Sequence, residues 1–290
     1  FLISVLSQYG SLVPPKYYAS KSLKHLARNP IGSGPYILAK WKGKHEFHYE
    51  ANPNYWKPGV PKIKSARIMV VPEPTTRVAA LAAGDVDVAD AISPQLISLA
   101  KSNPNVQVIS VPSSRTCYIY PIIKPGSPWE KVKVRQALNY AIDKEALVKT
   151  VLEGRGRIIA TNVGPDSFGF NPDLKPYPYD PEQAKRLLAE AGYADGLDLI
   201  MELIPTSTDY TNTSQFIATD LKRVGINLEL RQIALADLLG KLRGQKPWGG
   251  HMWMGLVESF PTGDVMRPFV TDSCAFFGAF ICDREIQPTI

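Results

Sequence analysis

Helices that stop at glycine and give way at once to short apolar strands set the rhythm of the later part of this chain, and that alternation confines it to a layered α/β architecture. Pro181 opens an amphipathic helix that runs through Leu187 and Leu188 to a stop at Gly192, and Leu197 to Ile204 then reads as a strand. A second helix near Ser214 to Val224 ends at Gly225, and the alternating Ile226-Asn227-Leu228-Glu229-Leu230 follows as the next strand. A further helix is predicted near Leu235 to Leu242. Glycine suits these stops because it reaches left-handed backbone angles without steric cost.

Upstream the same vocabulary recurs with more turns. Residues 1 to 20 read as the tail of a larger unit, with a short helical piece ending at Pro14-Pro15 and restarting around Lys16. Gly32-Ser33-Gly34-Pro35 turns into an apolar strand at Tyr36-Ile37-Leu38, and Glu46 to Glu50 returns as the second arm of a hairpin. A loop holding Asn52-Pro53-Asn54-Tyr55-Trp56 leads to a strand over Ala66 to Val71. Pro74-Thr75-Thr76 starts a helix that stops at Gly84; Asp85 to Ala89 is predicted as a strand, Pro94 to Lys101 as a short helix, and Val106 to Val111 as extended. Val111 to Arg115 looks like a crossing point. Beyond it, Thr116 to Pro121 is a strand with Tyr118 and Tyr120 on one face. One long helix is predicted from Lys133 to Leu152, with Val134, Leu138, Ala141, Ile142 and Leu147 on its apolar side and Gly154 as its stop.

Composition narrows the classes of function. With 290 residues, 44% hydrophobic and 21% charged, the chain is long enough for two modest globular domains. No stretch approaches the run of about 20 apolar residues that spans a bilayer. The net charge of +6 comes from 33 basic and 27 acidic residues scattered along the chain, without the basic stripe and interleaved aromatics of a nucleic-acid surface. Metal ligation is disfavoured: His45 and His48 turn to opposite faces of a predicted strand, His25 and His251 stand alone, and no zinc-type spacing occurs. Cys274 and Cys282 bracket a Phe/Gly-rich segment that suits a local disulfide, whereas Cys117 reads as a buried thiol. No nucleophile elbow, P-loop or dinucleotide fingerprint is present, and no carboxylate pair is singled out by its setting.

Several long motifs then carry a resemblance. Asn29-Pro30-Ile31-Gly32-Ser33-Gly34-Pro35-Tyr36, Asn52 to Trp56, and Thr76-Arg77-Val78-Ala79-Ala80-Leu81-Ala82-Ala83-Gly84-Asp85-Val86-Asp87 are followed by Val134 to Lys144, Tyr179 to Tyr193 and Leu221 to Ile226. In order and spacing this series resembles the family 5 extracellular solute-binding proteins, the oligopeptide-, dipeptide- and nickel-binding receptors of ABC importers. The same residues have scaffold roles, as turn glycines, helix stops and buried stripes.

The resemblance implies an α/β fold of the class II periplasmic-binding-protein type, with two lobes and a hinge closing over ligand. Residues 1–19 would be the tail of a preceding subdomain, 20–112 part of the first lobe and 113–290 most of the second. Family members are longer, so the first lobe is expected to be incomplete here. The implied role is ligand capture for ABC transporter permease subunits, outside the cytoplasm, without a cofactor, without nucleic acid and without catalysis. Membrane association would come only through the transporter or a lipid anchor. The rival readings are a hydrolytic enzyme and a sensor-type binding protein on the same scaffold. In peptide-binding relatives a Trp and an Asp after a late second-lobe strand form the pocket; aligned residues here are Leu256 and Ser259. A neutral hydroxyl cannot give a ligand ammonium the charge-assisted bond that a carboxylate gives, which turns attention to Glu258 and Asp264. Tyr118, Tyr120 and Trp253 are candidate aromatic walls, and Phe260 completes the set of candidate ligand-binding residues.

Overall fold

The computed structural model describes residues 13–111, 115–161, 165, 170–205, 207–242 and 244–258. By Cα proximity they divide into two compact units, one drawn from Phe1–Ile92 with Ser102–Val106, the other from Ser93–Lys101 with Gln107–Ile290. The sequence places one crossing near residues 111–115, whereas this division places the segment Ser93–Lys101 in the second unit. There Ile97 and Ala100 are buried, and the Gln95 side-chain amide donates to the Val151 carbonyl at 2.9 Å.

The first unit begins with two short helices, α1 (Pro15–Ser20) and α2 (Leu23–Arg28), the second capped by Ser22, whose hydroxyl accepts from the His25 N–H. Three antiparallel strands follow in the order β1 (Tyr36–Lys42), β2 (Glu46–Ala51), β3 (Ser65–Met69). Helix α3 (Pro74–Ala83) ends at Gly84, whose φ of 78° is the left-handed angle that the sequence stop requires. Arg77 of α3 donates to the carbonyls of Val71, Pro72 and Ala91, tying the chain before the helix to the chain after it.

Two expectations fail in and after this unit. Asp85 to Ala89 is not a strand, and Val106 to Val111 forms no ladder. Alternating side chains make a strand only where a neighbouring backbone accepts and donates. Neither segment has such a neighbour among the described residues, and Val88, Ile109 and Val111 are strongly exposed.

The second unit is built on a four-stranded mixed sheet in the order β4-β7-β5-β6. Its strands are β4 (Arg115–Pro121), β5 (Leu197–Leu203), β6 (Ile226–Gln232) and β7 (Met252–Glu258). β5 runs parallel to both β6 and β7, and β4 is antiparallel to β7. Helix α4 (Ile97–Lys101) precedes the sheet; α5 (Val132–Ala141), α6 (Lys144–Thr150), α7 (Pro181–Glu190), α8 (Thr208–Arg223) and α9 (Leu235–Leu242) complete the unit. Leu199, Met201 and Leu203 of β5 and Met252 and Met254 of β7 share one core with Val134, Leu138, Leu188 and Leu221. Each such side chain contributes about 1.5–3 kcal/mol when fully buried.

The long helix expected from Lys133 to Leu152 is broken. Ile142 leaves the helical region at φ −97°, ψ 119°, and Asp143 caps α6 by accepting from the Ala146 N–H at 2.9 Å. The Asp143 N–H itself donates to Asp220 Oδ2 of α8 at 2.9 Å. Asp220 is buried, and burial raises its pKa against the opposing pull of that N–H and of Arg223 at 2.5 Å. Apolar periodicity runs through Asn139 to Leu147 unbroken, so only the tertiary partner reveals the break. Asp220→Ala leaves the Asp143 N–H unanswered, and urea denaturation should show about 1–3 kcal/mol less stability, with Asp220→Asn losing less because an acceptor remains. An unchanged midpoint for the alanine variant would contradict this account of the break.

Candidate functional site

The register of β4 on β7 sets Tyr118 opposite Gly255 and Tyr120 opposite Trp253, so both tyrosines and the tryptophan occupy the sheet face away from the main core. Tyr120 and Trp253 stack at 5.0 Å between centroids with 17° between planes. Tyr118 follows Tyr120 at 5.7 Å, and Trp248 follows Trp253 at 6.2 Å. The four rings form a ladder. Trp253 is buried with Ile122 and with Leu238 of α9, whereas Tyr118 and Tyr120 are half-buried. Gly255 makes room for this packing, since a Cβ there would overlap the Trp253 ring. Burial, then the proximity of Tyr118 and Cys117, raises the pKa of Tyr120, so its hydroxyl stays neutral at physiological pH.

β7 is locked to β5 through His251. Its N–H donates to the Ile200 carbonyl at 2.8 Å, while the Ile200 N–H donates to its ring Nδ1 at 3.1 Å. The His251 carbonyl accepts from the Ile122 N–H and from Trp129 Nε1. A ring nitrogen that accepts must be unprotonated. Burial, then the charges of Lys124 and Arg231, lowers the pKa of this histidine and keeps that role available.

Beneath the ladder lies a buried ion pair that sequence reasoning missed. Lys241 of α9 places its Nζ 2.7 Å from both carboxylate oxygens of Glu202, which sits on β5 directly opposite Trp253. Glu202 also accepts from the Gly249 N–H at 3.1 Å, and the Lys241 ammonium stands 5.6 Å from the centre of the Trp248 ring. The available signal was Glu202 itself, a carboxylate inside the apolar run Leu199 to Ile204.

Of the predicted site residues, Tyr118, Tyr120 and Trp253 are brought together. Glu258 ends β7 in register with Arg115. Ser259, Phe260 and Asp264, and the cysteine pair Cys274 and Cys282, lie outside the described residues. Cys117, read from the sequence as buried, is exposed by surface area on β4, the outer strand of its sheet, although desolvation by the protein around it, then the charge of Asp209, pushes its thiol pKa up to about 12. Among the described residues no group of three or more His, Cys, Asp or Glu is placed to hold a metal ion, and no helix is long and apolar enough to cross a membrane.

Comparison with known proteins agrees with the geometry. Residues 2–273 match the family model for bacterial extracellular solute-binding proteins, family 5 Middle. Heme-binding protein A of Haemophilus influenzae is 34% identical over 267 residues, covering 88% of this chain and 48% of that protein. Glutathione-binding protein GsiB of Escherichia coli is 33% identical over 255 residues, covering 87% and 49%. The chain therefore spans about half the length of the curated relatives it matches. Among solved structures, the ABC transporter-associated periplasmic binding protein DppA from Helicobacter pylori, in complex with peptide STSA, superposes with a TM-score of 0.81 at 21% identity, covering 96% of this chain and 55% of that one. NikZ from Campylobacter jejuni, in complex with Ni(L-His), gives 0.80 at 20% identity, covering 95% and 58%. The fold is that of the class II periplasmic binding proteins.

Two measurements check the site's construction. Gly255→Ala should displace the Trp253 ring and cost about 1–3 kcal/mol, the usual range for overpacking; a thermal midpoint and tryptophan emission identical to wild type would contradict the packing described. For His251, the folded pKa lies below that of the unfolded chain. Stability from this residue is therefore fully present above the unfolded value of about 6.5 and declines as pH falls below it, because the unfolded chain takes up a proton that folded His251 resists. His251→Asn, which keeps an acceptor without a titrating ring, should lose less stability than wild type between pH 7 and pH 5.5, and an equal loss in both proteins would rule the role out.

Proposed function

Because this chain belongs to the family 5 bacterial extracellular solute-binding proteins, we propose that it is part of the substrate-binding component of an ABC importer and captures a peptide-like or other small polar solute. The observation that carries this reading is the aromatic face of β4 and β7. Tyr118 and Tyr120 offer flat apolar surface with polar tips at the half-buried end of a rigid ladder, a surface suited to planar peptide groups and short side chains. A ligand that covers about 100 Å² of apolar surface there gains about 2.5 kcal/mol. The Tyr120 hydroxyl, held neutral by its surroundings, brings no charge to that surface.

We assign residues 20–112 to the first lobe of the family fold, apart from Ser93–Lys101 and residues 107–112, which cluster with the second compact unit, and 113–290 to the second lobe, with ligand held on the second by Tyr118, Tyr120 and Trp253. Glu258 ends β7, and Ser259, Phe260 and Asp264 follow it closely in sequence; we assign all four to the ligand-binding end of this lobe. Binding in such a receptor shifts a balance between open and closed forms by the ligand's differential affinity for them, and no covalent step is needed. The relatives are substrate-binding transport proteins, which supports a non-enzymatic role acting outside the cytoplasm with permease subunits as partners. The ligands named for relatives span a peptide, glutathione, heme and a nickel–histidine complex. That spread is the expected consequence of specificity residing in few side chains.

Calorimetric titration with the tetrapeptide Ser-Thr-Ser-Ala, glutathione and hemin tests the proposal. At least one should bind, and Tyr120→Ala should weaken that binding about tenfold, a loss of about 1.4 kcal/mol. Turnover of ester, phosphate or glycoside substrates, with no solute bound, would overturn it.

A further inference from the structure

We propose that the buried pair Lys241–Glu202 is a positioning element for the aromatic ladder, fixing Trp248 and through it Trp253 and Tyr120. The proposal rests on the reading of that ladder as the ligand-facing surface. Its starting point is energetic. A buried ion pair is a weak source of stability, because desolvation offsets much of the attraction and an apolar pair of similar volume is often as stable or more so. Stability alone therefore gives no reason for a carboxylate on the central strand of an apolar sheet. Its contacts supply a different one.

Glu202 meets three elements at once. It receives both contacts of the Lys241 ammonium from α9, it accepts the Gly249 N–H from the turn that leads into β7, and its neighbour across the ladder is Trp253. The turn packs closely on it and leaves no room for side chains there: a Cβ on Gly249 would lie 3.0 Å from Glu202 Oε1, and one on Gly250 would lie 3.0 Å from its Cγ. Trp248, immediately before this turn, has the Lys241 ammonium over its ring, 5.6 Å from the centre. Both partners of the pair thus act on the same short segment, Glu202 on its backbone and Lys241 on its indole. From Trp248 the arrangement passes to Trp253 and then to Tyr120 by ring contact. Glu202 and Lys241 touch no ligand in this scheme; they set the angle and height of the rings that do.

The test uses charge-neutral, volume-matched double variants in the full chain. In E202M/K241M the carboxylate and ammonium are both gone, so neither is stranded, and the thermal midpoint should stay within a few degrees of wild type. The near-ultraviolet circular dichroism of the aromatic side chains, which reports fixed tertiary packing, should fall at least about twofold. E202Q/K241M retains an acceptor for the Gly249 N–H and should keep more of that signal than E202M/K241M. For whichever of Ser-Thr-Ser-Ala, glutathione or hemin wild type binds, affinity should fall about tenfold in E202M/K241M. If wild type binds none of the three, the functional reading fails while the spectroscopic comparison still decides the positioning role. An E202M/K241M protein with wild-type midpoint and unchanged near-ultraviolet spectrum overturns the proposal. Should that variant not fold, E202Q/K241M decides alone: a reduced aromatic signal supports the role of Lys241 over Trp248, and a wild-type signal overturns it.

Discussion

The second unit depends on β5 being a central strand, paired in parallel with β6 on one side and β7 on the other. A parallel strand needs cover on both faces, and this one has it: the core of α5, α7 and α8 on one face, and α9 with the aromatic ladder on the other. Everything ascribed to ligand binding hangs from that placement. β7 takes its register from Met201 and Glu202, β4 takes its register from β7, and Tyr120 reaches Trp253 only because those two pairings agree.

The two faces of this sheet illustrate different uses of burial. The face that carries Met201, Met252 and Met254 holds the main apolar core and supplies most of the cohesion. The other mixes stacked rings with a buried carboxylate and ammonium, groups that stabilise little by their burial but specify position strongly. His251 sits where β7 joins β5, offering a ring nitrogen in place of a backbone acceptor. The Ile200 N–H keeps this acceptor only while Nδ1 is unprotonated, so one bond of the β5–β7 junction depends on pH.

Much of the fold was legible in the sequence because its punctuation is local. Gly84, Gly192 and Gly225 take positive φ at helix ends, Gly154 takes it in the turn beyond α6, and Pro181 opens α7, as their chemistry requires. The likeness to a known family was equally readable, since its motifs are scaffold motifs. What the sequence withheld was tertiary. Asp85 to Ala89 carries a strand pattern without a strand beside it, and the break between α5 and α6 is set by Asp220, far along the chain. Tyr118 and Tyr120 could be placed on one face by alternation, but their stacking with Trp253 depends on a register between segments far apart in sequence. The Lys241–Glu202 pair was invisible for the same reason, although Glu202 among leucine, isoleucine and methionine was a visible irregularity.

The central claim is that solute is received on the β4–β7 face. Amide hydrogen exchange, followed with and without a saturating bound solute, tests it most directly. The account predicts slowed exchange concentrated in residues 115–121 and 248–258, with the amides of α5 and α7 on the opposite face unchanged. Protection confined to α5 and α7, or spread evenly over the unit with no preference for β4 and β7, would contradict it.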